Sequence, residues 1–103
     1  MKIVAVTACP SGVAHTYLAA ESLEVAAKKL NVSIHVETQG SIGIENEISA
    51  LAITEADAVI LTNNIGIKNE ERFKGKPIVR VSAGDCIKRG EVIIKKLQEK
   101  LGG

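Results

Sequence analysis

The feature that most constrains this chain is an alternation. Short β-branched runs take turns with longer stretches of helical pattern from the first residues to the last. Lys2 to Thr7 reads as a buried strand. Ala14 to Leu30 reads as a helix in which Leu18, Ser22, Val25, Ala26 and Lys29 recur at three- and four-residue steps. Lys28 and Lys29 fall in its last turn, and Asn31 is its stop. Ser33 to Thr38 reads as a second strand, Gln39 to Gly43 as a loop, Glu47 to Ala56 as a helix and Ala58 to Thr62 as a third strand. One helical turn is expected at Glu70 to Phe73. A fourth strand is expected at Ile78 to Ser82, then helix from Gly84 to Leu101, interrupted near Gly90. This order predicts a three-layer α/β/α fold around a four-stranded, mostly parallel, Rossmann-like sheet. Right-handed crossovers gather the strand-to-helix loops on one edge. Ligands of such sheets bind beyond the carboxyl ends of the strands.

The length of 103 residues predicts one domain, 1–103, and the 2% aromatic content predicts an aliphatic core. Thirteen basic and 12 acidic residues leave a net charge of +1. That balance, with no basic patch interleaved with aromatics, argues against a nucleic-acid partner. No apolar run has the roughly 18–20 residues needed to cross a bilayer, so no direct membrane insertion is expected. Met1 to Val6 flows directly into strand pattern and is too short for a signal peptide. The expected address is cytoplasmic, with Cys9 and Cys86 as free thiols. These two cysteines lie far apart, forming neither a CxxC pair nor a metal-ligand set, so neither metal nor cofactor is expected.

The loop after the first strand, Cys9-Pro10-Ser11-Gly12-Val13-Ala14-His15-Thr16, carries the chemistry. Pro10 biases Cys9 away from helical geometry, so the turn comes after it. Gly12 permits a positive φ and close approach of backbone to a ligand. The residues that follow open a helix, whose unpaired N–H groups suit a thiolate or a phosphoryl group on sulfur. Ser11 and Thr16 add hydroxyls. Hydrogen bonds to a charged acceptor contribute about 1.5–3 kcal/mol each, so two or three outweigh a helix dipole of at most ~2 kcal/mol. Together they draw the thiol below its ordinary value of about 8.5. The spacing, Cys then five residues then His-Thr, is similar to low-molecular-weight tyrosine phosphatases, where Arg stands in place of His15.

The stretch Val4 to Thr16, continued by Ala19-Ala20-Glu21-Ser22-Leu23-Glu24, resembles the signature of the fructose-type enzyme IIB domain of the bacterial phosphoenolpyruvate-dependent sugar phosphotransferase system. The resemblance recurs at Val36 to Asn46, Ala56 to Leu61 and Arg72 to Pro77, in family order. It implies a phosphotransferase component. Cys9 would accept a phosphoryl group from a phosphohistidine of enzyme IIA and pass it to a sugar, fructose by family, held by the membrane enzyme IIC. Pro10, Ser11, Gly12, Val13, Ala14, His15 and Thr16 would cradle the phosphate. Two positions depart from the family pattern: Ser11 stands where Thr is commoner, and Asn63-Asn64-Ile65-Gly66 replaces a loop that usually carries an Asp.

Other cysteine and histidine positions have plainer readings. Cys86, early in the last helix, reads as packing, and His35 as a satisfied or solvent-facing strand residue. His15 reads either as a ligand contact or as a first-turn helix residue. Gln39-Gly40-Ser41 is a turn or a second wall of the site. Lys95, Lys96 and Lys100 form a solvated helix face. Gly12, Val13, Ile65 and Phe73 are expected to rim the thiol. The rival functions are a phosphatase- or arsenate-reductase-like hydrolase and a non-catalytic anion-binding module. A hydrolase needs an Arg clamp and a carboxylic acid for the leaving group, which residues 9–16 lack.

Overall fold

The computed structural model describes residues 1–8, 13–40 and 43–101, with 13 and 14 described by backbone only. The elements run β1 (Lys2–Ala8), α1 (Val13–Lys29), β2 (Ser33–Gly40), β3 (Gly43–Glu45), α2 (Ala50–Glu55), β4 (Ala58–Thr62), a 3-10 turn (Glu70–Phe73), β5 (Ile78–Val81) and α3 (Ala83–Leu101). They build one sheet in the order β3-β2-β1-β4-β5, parallel except for β3. The α/β class and parallel order agree with the sequence. The strand count does not: among the described residues five strands replace the expected four. Of the expected loop, Gln39 and Gly40 end β2 and Gly43 begins β3, with Gly40 paired to Gly43, while Ser41 and Ile42 lie outside the described residues. Gly43 opens β3 at φ 108°, a conformation that strains any side chain.

β1 lies at the centre because it is buried along almost its whole length, as a parallel strand covered on both faces must be. Its residues alternate between two cores. Ile3 and Ala5, with Val36 of β2 and Ala58 and Ile60 of β4, pack under α1 and α3. Val4 and Val6, with Val59 and Leu61, pack on the other face against Ile48, Ala56 and Phe73.

The buried face of α1 is built from Ala19, Ala20, Leu23, Ala26 and Ala27, while Leu18 and Val25 of the expected stripe are exposed. Small side chains bring α1 close to its neighbours. At Gly90 of α3, an added Cβ would meet the Ser22 carbonyl oxygen at 3.3 Å. The expected interruption of the last helix is present as non-helical geometry at Arg89. Asn31, with φ 57°, is the left-handed stop after α1, and the Val32 N–H closes the end on the Ala27 carbonyl at 2.8 Å. α2 starts later than expected. The Ile48 N–H is taken by Glu37, and Ser49 is the N-cap, its hydroxyl accepting from the Ala52 N–H at 3.1 Å.

Candidate functional site

Four elements meet at Ala8, the last residue of β1. On one side Ala8 pairs in register with Gln39 of β2. On the other, the Thr62 hydroxyl serves both backbone groups of Ala8, accepting from its N–H at 2.9 Å and donating to its carbonyl at 3.0 Å. From the residue before, the Thr7 hydroxyl donates to the Thr16 carbonyl at 3.1 Å and so fastens β1 to the first turn of α1. The side chain of Thr16 is buried and its hydroxyl has no hydrogen-bond partner among the described residues. His15 is half-buried in the same turn.

Cys9 follows Ala8 in the chain. Cys9, Pro10, Ser11 and Gly12 of the expected site lie outside the described residues, as does Ser41, and only the backbone is described at Val13 and Ala14. The structure therefore describes the site's frame: the end of β1, the first turn of α1 and the ends of β2 and β4 on the same edge.

Sequence reasoning missed a polar network beside that frame. The Glu37 side chain on β2 is 0% exposed. Its carboxylate accepts from Arg72 Nη1 at 2.8 Å and Nη2 at 2.6 Å, from the Ile48 N–H at 2.9 Å and from the Gln39 amide at 2.9 Å. Burial alone would push the carboxyl up. The bidentate Arg72, the Ile48 N–H and the Gln39 amide outweigh it and hold Glu37 below its ordinary value. The Arg72 guanidinium also lies over the Phe73 ring, 4.6 Å from its centroid. Phe73 is fully buried and so is no part of a rim. Its loop position suggested exposure, but the ring plugs the core beneath the ion pair. Ile65, at 41% exposed, does stand at the surface.

Gln39 has a second task. Its amide nitrogen donates to the Lys68 carbonyl at 3.1 Å, and its oxygen accepts from the Lys68 N–H at 2.8 Å. The segment 63–69 is thus fixed at both ends. At its start, the Asn63 N–H donates to the Val81 carbonyl and Asn64 Oδ1 accepts from the Ala83 N–H. Between this segment and the paired ends of β2 and β3 lies an open cleft of about 280 Å³, lined by Gln39, Gly40, Gly43, Ile44, Ile65, Gly66 and Lys68. Gln39 and Gly40 accordingly form a wall beside the frame. Tyr17 of α1 donates from its phenol to Glu45 of β3, which raises the phenol's pKa and links the helix to the hairpin.

The remaining candidates fall as their plain readings have them. Cys86 is buried in the α1–α3 core. Burial, with Asp85 adding to it, pushes its thiol up to about 11. His35 is exposed and bonded to the Asn46 carbonyl at 2.8 Å. Among the described residues no cluster of His, Cys, Asp and Glu could hold a metal, and no helix is long and apolar enough to cross a membrane.

Comparison with known proteins agrees with this architecture. Residues 4–96 match the family model described as the lactose/cellobiose-specific IIB subunit of the PTS system. The chain is 61% identical over 100 residues to the fructose-like EIIB component 2 of the PTS system of Escherichia coli K12, covering 97% of this chain and 94% of that protein. It is 45% identical to part of the fructose-specific EIIABC component of Bacillus subtilis, covering 92% of this chain and 15% of that one. Among solved structures, a domain of the fructose-specific IIABC component of Borrelia burgdorferi superposes with a TM-score of 0.88 at 53% identity, covering 95% of this chain and 93% of that one. The solution structure of an enzyme IIB subunit from Escherichia coli K12 gives 0.92 at 37% identity, covering 98% and 94%. The sugars in these names differ, but the component does not: this chain belongs to the IIB family of the PTS system.

Proposed function

We propose that this chain carries a phosphoryl group on Cys9. It would take the group from a phosphohistidine of an enzyme IIA component and deliver it to a sugar held by a membrane enzyme IIC component. The observation that supports this most directly is the frame at Ala8. Cys9 is the next residue after the point where β1, β2, β4 and the first turn of α1 are tied together. β1 ends there at the carboxyl edge of a parallel sheet, and α1 follows with an N-terminus whose N–H groups and dipole favour a thiolate and a phosphate dianion. Pro10 to Thr16 form the cradle in this reading. The orphan Thr16 hydroxyl is a buried donor that an anion would satisfy.

The transfer balances without a cofactor. The Cys9 thiolate supplies the electron pair of the new S–P bond. The donor's imidazole nitrogen keeps the pair of the broken P–N bond and departs neutral, its other nitrogen still protonated. Residues 9–16 contain no Arg and no carboxylate, so nothing in that stretch clamps a transition state for water or orients one. The phosphocysteine should therefore outlast the transfer step by a wide margin. The domain acts as one unit over 1–103 on the cytoplasmic side, and fructose is the sugar suggested by the names of its relatives.

The test is phosphorylation by a purified phosphohistidine donor of the IIA type, followed by peptide mapping. Label should appear on Cys9, be absent in Cys9→Ser, and persist until acceptor membranes and sugar are added. Rapid release of inorganic phosphate by the domain alone would favour a hydrolase instead. Alkylation near neutral pH should likewise find Cys9, because Cys86 is buried and its thiol lies at about 11.

A further inference from the structure

We infer that Lys68 is a phosphoryl-binding residue of this site, supplying the cation that the Cys9 loop lacks. The inference rests on the carrier reading and adds a residue outside the loop to it. Transfer brings a thiolate and a phosphoryl dianion together, two groups that repel. Residues 9–16 include neither Lys nor Arg, so a fixed lysine or arginine charge that offsets this repulsion would come from another segment.

Topology points to the segment after β4. In the sheet, β1 lies between β2 and β4. The chain leaves β4 at Thr62 and by Lys68 is hydrogen-bonded to Gln39 of β2. To get there it must pass the carboxyl end of β1, where Ala8 leads into Cys9. Lys68 is the residue at which this crossing is pinned, through both its N–H and its carbonyl. It also lines the cleft of about 280 Å³ together with Gln39 and Gly40.

Three of the basic residues that follow in the chain are committed elsewhere. Arg72 is held by Glu37, Arg80 by Glu70, and Lys76 by the carbonyls of Thr54 and Ala56. The Lys68 side chain, by contrast, is exposed and has neither a hydrogen bond nor an ion pair among the described residues. A lysine with a fixed backbone and an uncommitted ammonium on a four-carbon stem suits capture of an arriving anion. The Gln39 bonds use only Lys68 backbone atoms, so exchanging the side chain leaves the crossing itself in place.

Two measurements on wild type, Lys68→Ala, Lys68→Gln and Lys68→Arg test this. The first compares alkylation of Cys9 by iodoacetate and by iodoacetamide. Both need the thiolate, so their rate ratio reports attraction of an anion and is independent of the thiol pKa. Lys68→Ala and Lys68→Gln should lower that ratio about three- to tenfold at low salt, and Lys68→Arg should restore it. The second is the rate of phosphorylation by the IIA-type donor. In the alanine variant kcat/KM should fall about tenfold, and the deficit should shrink as salt screens the charge. If the donor labels wild-type Cys9 but neither the ratio nor kcat/KM changes, Lys68 has no such role and the carrier reading stands. If the donor fails to label Cys9, the carrier reading falls, and the alkylation ratio alone decides whether Lys68 draws anions to that thiol.

Discussion

The two faces of the sheet are closed by different chemistry. One is covered by two long helices, α1 and α3, over Ile3, Ala5, Leu23, Ala26, Ile60, Ile94 and Leu97, an almost wholly aliphatic core. The other is covered by α2, six residues long, and a four-residue 3-10 turn, and it holds a smaller core around Val4, Leu61 and Phe73. What the second face lacks in helix it makes up with the Glu37–Arg72 pair and the Gln39 amide. Aliphatic packing holds elements together without directing loops, because it is nearly indifferent to angle. Bidentate bonds fix both angle and distance. The face that shapes the cleft is thus the one sealed by directional bonds.

The largest effect should come from breaking the ion pair one partner at a time. Arg72→Ala leaves a buried carboxylate and should cost about 3–5 kcal/mol in urea unfolding. A double replacement of Glu37 and Arg72 by leucine should recover part of that loss while leaving the Lys68 amide open to hydrogen exchange. Equal stability with a still-protected Lys68 amide would mean that apolar packing alone can shape the segment. The pair also carries a pH signature. Glu37 sits below its ordinary value of 4.5, so its contribution is fully present above that pH. It is lost as pH falls through the lower folded value, and the Arg72→Ala variant should lack this acid-side loss.

On the helical face, Leu23→Ala should cost about 2–5 kcal/mol, with hydrogen exchange rising throughout rather than in segment 63–69. Selective opening of that segment would show the two faces to be coupled. Gly90→Ala should cost about 1–2 kcal/mol, because the new methyl meets the Ser22 carbonyl at 3.3 Å and backbone yields little. A gain in stability would mean that helix propensity outweighs the close approach of α1 and α3. Smallest of all, Arg80→Ala removes an exposed pair with Glu70 and should leave the urea midpoint unchanged.

The same contrast explains which features the sequence revealed. β1 and β4 were legible because their apolar runs are continuous, and α1 because its Ala-rich length ends in two lysines and Asn31. The edge at which β1 ends, at Ala8, followed from the order of elements. β3 was missed because Gly-Ile-Glu is too short to show alternation. The expected start of α2 at Glu47 differs from the structure, where Ser49 is the N-cap and the helix begins at Ala50. The polar network was invisible for a different reason. Glu37 bonds to Arg72, and Gln39 to Lys68, across long stretches of chain that carry no local pattern linking them. One clue was present. Glu37 and Gln39 share a face of a strand whose neighbours Val36 and Thr38 are buried, and a charge in that setting requires a distant partner.

That long reach also sets an order in time. Gln39 and Lys68 are 29 positions apart, and Glu37 and Arg72 are 35. These bonds cannot close until β1, β2 and β4 are already side by side, so segment 63–69 should settle after the transition state, with φ-values near zero at Gln39 and Arg72. During synthesis Cys9 is made long before Lys68. A nascent chain therefore carries Cys9 well before the segment that closes the cleft exists, and the cleft itself takes shape only when folding is almost finished.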